Sequence, residues 1–292
     1  MEMLWPLLAL GFSFCGAVIV GFNHWAKLDS TRLVVLRLAG VLPLALVARL
    51  VLPWPDHADF YMVAAAMGVL VAFSDILLFK AAAKHGGRLA ALYIPMKMLL
   101  GFALWGMMVP SSVTMVTDVW WRLLLVVAGF GLCSGALFSL RKQDASWAGL
   151  VAVMPVAVLL ALGDVVAKYA LNSSADGMAA IVGSAAAFVT VTSTMGTLVG
   201  LVIVGVRHRT FAMPTRREMV LSAAFGAILL ASLTVLLVTL AIAPNPGYVG
   251  AVTMLSALWL AIHGYFYHGE RANWWGGVVL LGGAIGVAVG SV

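Results

Sequence analysis

Charged residues are scarce in this 292-residue chain, and their scarcity decides the class of protein. Asp, Glu, Lys and Arg make up 10% of the sequence, and hydrophobic residues make up 63%. A typical soluble domain is about 25% charged and about 45–50% apolar. Too few polar side chains remain to cover the surface of a soluble protein of this size. A water-soluble enzyme is therefore excluded, and the sequence predicts an integral membrane protein.

Cysteine is nearly absent, and the spacings that mark catalytic and metal sites are missing as well. Cys15 and Cys133 both lie in apolar stretches, where single cysteines usually behave as small buried hydrophobic residues. The sequence contains no His-Glu-x-x-His pattern, phosphate-binding loop or nucleophile triad. We therefore expect no enzymatic activity, no cofactor and no bound metal.

Most of the sequence consists of apolar runs separated by polar residues, glycine or proline. They have the roughly 20-residue length that crosses a bilayer as a helix, and they are apolar on every face, unlike the alternating strands of a barrel. The ten runs predicted to span the membrane are 4–26, 32–52, 60–80, 88–109, 119–140, 147–171, 178–206, 218–242, 247–267 and 273–291. The predicted fold class is an all-α integral membrane protein with ten transmembrane helices.

Two short matches indicate that the ten helices form two related halves. Residues 23–27 and 164–168 both read polar-x-x-Ala-Lys, and residues 72–78 resemble residues 231–237. The matches fall at helices one and six and at helices three and eight. We therefore predict one five-helix repeat over 1–144 and a second over 145–292. Because five is odd, the second repeat would be inverted relative to the first, as in many secondary transporters.

The net charge of +6 comes from basic residues that stand singly or in short loops. Such residues are typical of cytoplasmic loops of membrane proteins, so we expect no nucleic-acid partner. Most Lys and Arg residues follow odd-numbered predicted helices, whereas Arg49 and Arg122 lie at the opposite membrane face. The positive-inside rule then predicts that both termini lie outside.

A resemblance to a known family rests on the order of several weak motifs. Gly269-Glu270-Arg271 follows the ninth run, and the last run contains Gly282-Gly283-Ala284-Ile285-Gly286. The first half supplies Lys27, Arg37 and the linking segment 81–95. In these features the chain resembles the drug/metabolite transporter superfamily, in particular proteins with paired EamA-like domains. The resemblance implies a secondary transporter or exporter of small organic solutes.

The sequence departs from that family's pattern at two places. Pro110-Ser111-Ser112 stands where the first half would carry a Gly-Glu turn, and no proline lies near Ser256 in the ninth run. The resemblance also implies that both termini lie inside, whereas the distribution of basic residues among the loops predicts that they lie outside. Both orientations therefore stay open.

Ionisable residues inside the predicted spans are the candidate site, because each costs roughly 2.5–3.5 kcal/mol at the bilayer centre. We expect them to face the helix bundle or a water-filled cavity. The candidate substrate-binding or coupling residues are Asp164, Lys168, Asp75, Lys97, His263, Asn23, Lys27, Arg37 and Trp259.

The positions of some candidates along their helices predict specific contacts or a helix kink. Asp164 precedes Lys168 by four residues, so the two can pair on one helix face. Lys97 follows Pro95, where a kink toward a cavity is expected. We interpret Asp164 and Asp75 as coupling carboxylates, and Lys97, Lys168 and His263 as groups that orient substrate.

The sequence thus predicts a secondary active transporter of a small anionic or zwitterionic metabolite that works by alternating access in a bacterial inner membrane. Its expected partners are the substrate and membrane lipids. Coupling to a proton or ion, and the choice between monomer and homodimer, stay open. Two alternatives also stay open: a flippase for a lipid or lipid-linked sugar, and a non-transporting membrane assembly subunit.

Overall fold

The computed structural model describes residues 4–26, 30–85, 93–140, 147–174, 177–208, 214–268 and 274–291. Within these ranges all regular structure is helical and no strand occurs, which confirms the all-α prediction. The helices are α1 (Leu4–Ala26), α2 (Ser30–Ala39), α3 (Val41–Val51), α4 (Ala58–His85), α5 (Tyr93–Met108), α6 (Ser111–Thr117), α7 (Trp120–Leu140), α8 (Trp147–Ser174), α9 (Met178–His208), α10 (Arg216–Ile242), α11 (Pro246–Thr253), α12 (Ser256–His268) and α13 (Trp274–Gly290).

Seven helical segments of the described residues are long and apolar enough to cross a membrane. They are Val34–Val51, Ala58–Leu78, Trp120–Leu137, Val151–Ser173, Met178–Val206, Arg216–Ile242 and Pro246–Tyr267. Large apolar side chains lie exposed on them, such as Leu50, which is 86% exposed. Extended exposed apolar surface marks a membrane-facing protein, so the fold agrees with a multi-pass membrane protein.

Two of the predicted spans are interrupted rather than continuous. The second run divides into α2 and α3 at Gly40, and the ninth divides into α11 and α12 at residues 254–255. A Cβ atom at Gly40 would overlap the backbone of Ser222 on α10. The hydroxyl of Ser222 also donates to the carbonyl of Leu36 at 2.5 Å. The interruption at Gly40 therefore coincides with a very close helix contact.

The chain folds into two compact units, and each unit takes residues from both halves of the sequence. The first unit contains residues 1–17, 77–165 and 242–292, and the second contains residues 18–76 and 166–241. The compact units are therefore not the predicted segments 1–144 and 145–292. Helices α1, α4 and α8 each contribute to both units.

In the first unit, α13 packs along α7 and α11 packs against α5. A Cβ atom at Gly283 would lie 2.9 Å from the carbonyl oxygen of Gly129, so the two backbones touch directly. Asn245 is fully buried at the start of α11, where its Oδ1 accepts from Gly247 N at 2.9 Å and its Nδ2 donates to Phe102 O at 3.3 Å. Asn245 thus caps α11 and fixes it to α5.

Aromatic rings fill the space beside this cap. The ring of Tyr248 lies 5.7 Å from that of Phe102 and 6.3 Å from that of Trp5. Trp5 is fully buried. The ring of Trp5 is therefore part of the protein core.

In the second unit, α9 packs against α2 and α3 and also meets α4. The hydroxyl of Thr192 donates to the carbonyl of Ala64 at 3.1 Å. A Cβ atom at Gly68 would lie 2.6 Å from Thr192 O, and one at Gly226 would overlap the backbone of Gly40. Small residues permit this close packing in lipid, where van der Waals contact drives helix association.

Candidate functional site

Two candidate residues of the first unit, Lys97 and Asp164, form an ion pair between α5 and α8. The Nζ of Lys97 lies 2.7 Å from Oδ2 of Asp164. Lys97 is in the second turn of the described α5, and Asp164 is in the second half of α8. This pairing was not predicted, because 67 positions separate the two residues and no motif contains both of them.

This pair is neither sealed nor fully exposed. The side chains of Lys97 and Asp164 are 21% and 18% exposed. Tyr93 lies one turn before Lys97 on the same helix. Ion pairs inside a membrane protein usually face a bundle interior or an aqueous cavity. A partly exposed ammonium and carboxylate are chemically able to bind groups of either charge.

Asp164 therefore has a cross-helix partner in place of the expected neighbour Lys168. The side chain of Lys168 is nearly inaccessible, with 2% exposure. Its Nζ donates to the carbonyl of Leu240 at 2.7 Å and to that of Ala241 at 3.1 Å. These carbonyls belong to the last turn of α10, where no later amide of the helix can reach them. The position of Lys168 thus neutralises the negative end of α10.

Two candidate residues of the second unit form another ion pair, between Arg37 on α2 and Asp75 on α4. Their side chains are 15% and 16% exposed. The side chain of Lys80, five positions after Asp75, lies outside the described residues. The Nε of Arg37 is buried and has no hydrogen-bond partner within the described part of the chain.

The remaining candidates are Trp259 and His263, which make other contacts, and Asn23 and Lys27, whose side chains are not described. Trp259 on α12 donates from Nε1 to the hydroxyl of Ser13 on α1 at 2.9 Å, and its ring lies 5.8 Å from that of Phe14. His263 is exposed on α12 and stacks at 4.7 Å against Tyr267. The side chain of Asn23 and the whole of Lys27 lie outside the described residues.

Ser13, the partner of the candidate residue Trp259, is a buried polar residue that the sequence reasoning missed. It lies in the middle of an uncharged run and is fully buried in the structure. A single hydroxyl in a run of apolar residues carries no signal of its own. The only available hint was its place on helix one, which the predicted repeat relates to the helix that carries Asp164.

No group of three or more His, Cys, Asp or Glu residues able to hold a metal ion occurs among the residues with described positions. No protein-family model matches the chain, and comparison with curated proteins finds no match. The geometry of the paired charges is therefore the basis on which a function is proposed.

Proposed function

We propose that the chain is a ten-span secondary transporter of a small anionic or zwitterionic organic metabolite, of the drug/metabolite transporter type, located in a bacterial inner membrane. The observation that carries this proposal is the accessible Lys97–Asp164 pair between α5 and α8. Six ionisable candidates inside apolar runs are costly to insert, which argues against a passive assembly subunit.

The pair suits a zwitterionic or anionic solute for a simple chemical reason. Lys97 offers a cation to a substrate carboxylate or phosphate, and Asp164 offers an anion to an ammonium group or accepts a proton. Their mutual contact at 2.7 Å satisfies both charges when no solute is bound. A substrate that carries both charges would replace each partner with an equivalent group. Proton binding to Asp164 would release Lys97 in the same way.

Glycine contacts in the second unit support the proposed inverted repeat. Gly68 on α4 approaches Gly196 on α9, and Gly40, between α2 and α3, approaches Gly226 on α10. Gly226 follows Gly68 by 158 positions, and Gly196 follows Gly40 by 156 positions. The contact of predicted helix three with helix seven is therefore repeated as a contact of helix eight with helix two. An exchange of the two five-helix repeats would produce this pattern.

Polar contacts in the first unit follow the same relation. Lys97–Asp164 joins predicted helix four to helix six, and Trp259–Ser13 joins helix nine to helix one. Exchange of the repeats converts one of these helix pairs into the other. A charged contact in one position and a neutral one in the other would give the two repeats different roles. We assign substrate and coupling chemistry to the charged contact.

A thermal-shift screen of the detergent-purified protein tests this function. The panel holds anionic, zwitterionic, cationic and lipid-like compounds with acyl or prenyl tails. A ligand at 100 times its Kd stabilises a protein by about 2.7 kcal/mol, which is readily detected. We expect a tailless anionic or zwitterionic compound to raise the melting temperature of the wild type and not of Asp164→Asn or Lys97→Ala.

Arg217→Gln is a suitable control, because Arg217 is exposed at the start of α10. This variant should respond to the ligand as the wild type does. Stabilisation by tailed compounds alone would contradict the proposal and favour a flippase. A ligand that stabilises Asp164→Asn and Lys97→Ala as strongly as the wild type would remove the pair from the binding site.

A further inference from the structure

An open groove lies within the second unit, between α3 and α9. Its volume is about 740 Å³, and its lining includes Leu42, Pro43, Leu46, Arg49 and Trp54. None of these residues belongs to the Lys97–Asp164 or Arg37–Asp75 pair. The groove is therefore separate from the residues to which transport is assigned.

The two hydroxyl groups in the wall of the groove are already used by their own helix. Thr190 donates to the carbonyl of Ala186 at 2.8 Å, and Thr194 donates to the carbonyl of Thr190 at 2.8 Å. Both threonines line the groove. A Ser or Thr hydroxyl that donates to a preceding carbonyl has no further hydrogen to donate. This wall therefore provides no free hydroxyl donor for a polar solute.

Polar groups occur at one end of the groove. Arg49, two residues before the end of α3, lies over the indole ring of Trp54 at 5.2 Å from its centroid. The Nε1 of Trp54 is buried and has no hydrogen-bond partner within the described ranges. One end thus combines an exposed cation with an unused buried donor, and the rest is apolar.

The dimensions and the surroundings fit one leaflet of a bilayer. The lining on α3 runs from Leu42 to Arg49, which is about 11 Å along a helix and fits within one half of a hydrocarbon core of about 30 Å. Leu46 and Leu50 on the same helix are 72% and 86% exposed. Arg49 also lies at the end of the candidate span Val34–Val51, at the level where headgroups meet protein.

We propose that this groove binds one acyl chain of a phospholipid, whose phosphate is held by Arg49 with Trp54 as a second donor. A cation at the polar end is complementary to the phosphate, and Trp side chains favour this depth in a bilayer. The apolar walls are complementary to the chain. The occupant is therefore a lipid that stays in place rather than the transported solute.

Native mass spectrometry of the delipidated, detergent-purified full chain tests this site. Dioleoylphosphatidylglycerol is titrated against dioleoylglycerol, which has the same tails and no phosphate. We expect the phospholipid to bind more tightly to the wild type. Arg49→Gln should weaken phospholipid binding about tenfold, the size of effect expected for one charge-assisted contact. Trp54→Phe should weaken it less, and Leu46→Trp should weaken binding of both lipids by filling the groove.

The matched control is Arg122→Gln. Arg122 also lies over a tryptophan, at 5.4 Å from the ring centroid of Trp121, but belongs to the first unit. Its substitution should leave phospholipid binding unchanged. Equal binding of the two lipids by the wild type, or undiminished binding by Arg49→Gln, would overturn the proposal. Displacement of the phospholipid by millimolar inorganic phosphate would also overturn it, because the site would then recognise phosphate without a lipid.

Discussion

Lys97 and Asp164 are 2.7 Å apart although 67 positions separate them in the chain. Lys168, one turn after Asp164 on α8, is instead hydrogen-bonded to the last turn of α10. One helix thus carries a partly exposed carboxylate at Asp164 and an almost completely enclosed amine at Lys168. We expect the two residues to respond differently to substitution.

Exchange of the two charges separates the structural role of the pair from its role in binding. Removal of one member of a buried ion pair costs about 3–5 kcal/mol, and we expect Lys97→Ala to approach the lower figure because the pair is about a fifth exposed. The double variant Lys97→Asp/Asp164→Lys should recover most of that stability, since the contact is restored. Thermal unfolding in detergent measures this recovery.

The same double variant should fail to bind the substrate, because each charge then lies on the wrong helix. The ligand-induced shift in melting temperature is the readout. Recovery of both stability and ligand binding would mean that the pair only joins α5 to α8.

Lys168 should contribute to stability more than to recognition. Lys168→Met leaves the carbonyls of Leu240 and Ala241 without this donor, and hydrogen bonds to charged groups contribute about 1.5–3 kcal/mol. We expect a loss on the order of 3 kcal/mol in the free energy of unfolding. Saturating ligand should still raise the melting temperature of this variant, unlike that of Lys97→Ala. A variant as stable as the wild type that no longer binds ligand would instead place Lys168 in the binding site.

Adjacent glycines on α13 provide a matched test of helix packing. A Cβ atom at Gly283 would lie 2.8 Å from Cys133 Sγ and 2.9 Å from Gly129 O, whereas nothing lies within 4 Å of one at Gly282. Gly283→Ala should therefore push α13 away from α7 and lower the melting temperature. Gly282→Ala should be neutral or raise it slightly, because alanine favours a helix by up to about 1 kcal/mol. Equal effects of the two substitutions would contradict this contact.

The class of the fold could be predicted from the sequence because composition and run length depend only on the chain. The ends of the apolar runs agree closely with helix bounds such as Trp147 at the start of α8 and Ile242 at the end of α10. The interruption at Gly40 could not be predicted, since it coincides with a contact to α10 that lies about 180 residues further on. Helix–helix contacts in lipid depend on which small residues face each other, and a sequence rich in glycine offers many such choices.

The candidate site could be predicted as a set of residues but not as pairs. Burial cost identifies Arg37, Asp75, Lys97 and Asp164 as residues that need partners. Spacing along one helix suggested Lys168 as the neighbour of Asp164, whereas the partners described here come from other helices. Spacing along the sequence identifies neighbours only within one helix. Which charged residue of another helix lies nearby depends on the tertiary fold.

Uptake into proteoliposomes tests the central proposal most directly. The compound that best stabilises the detergent-solubilised protein would be supplied in labelled form to vesicles that contain the wild type, Asp164→Asn, Lys97→Ala or Arg217→Gln. We expect saturable uptake by the wild type and Arg217→Gln, and at least a tenfold lower rate, equivalent to about 1.4 kcal/mol, in the other two. Uptake by Asp164→Asn and Lys97→Ala at the wild-type rate would contradict the proposal that this ion pair binds the transported solute.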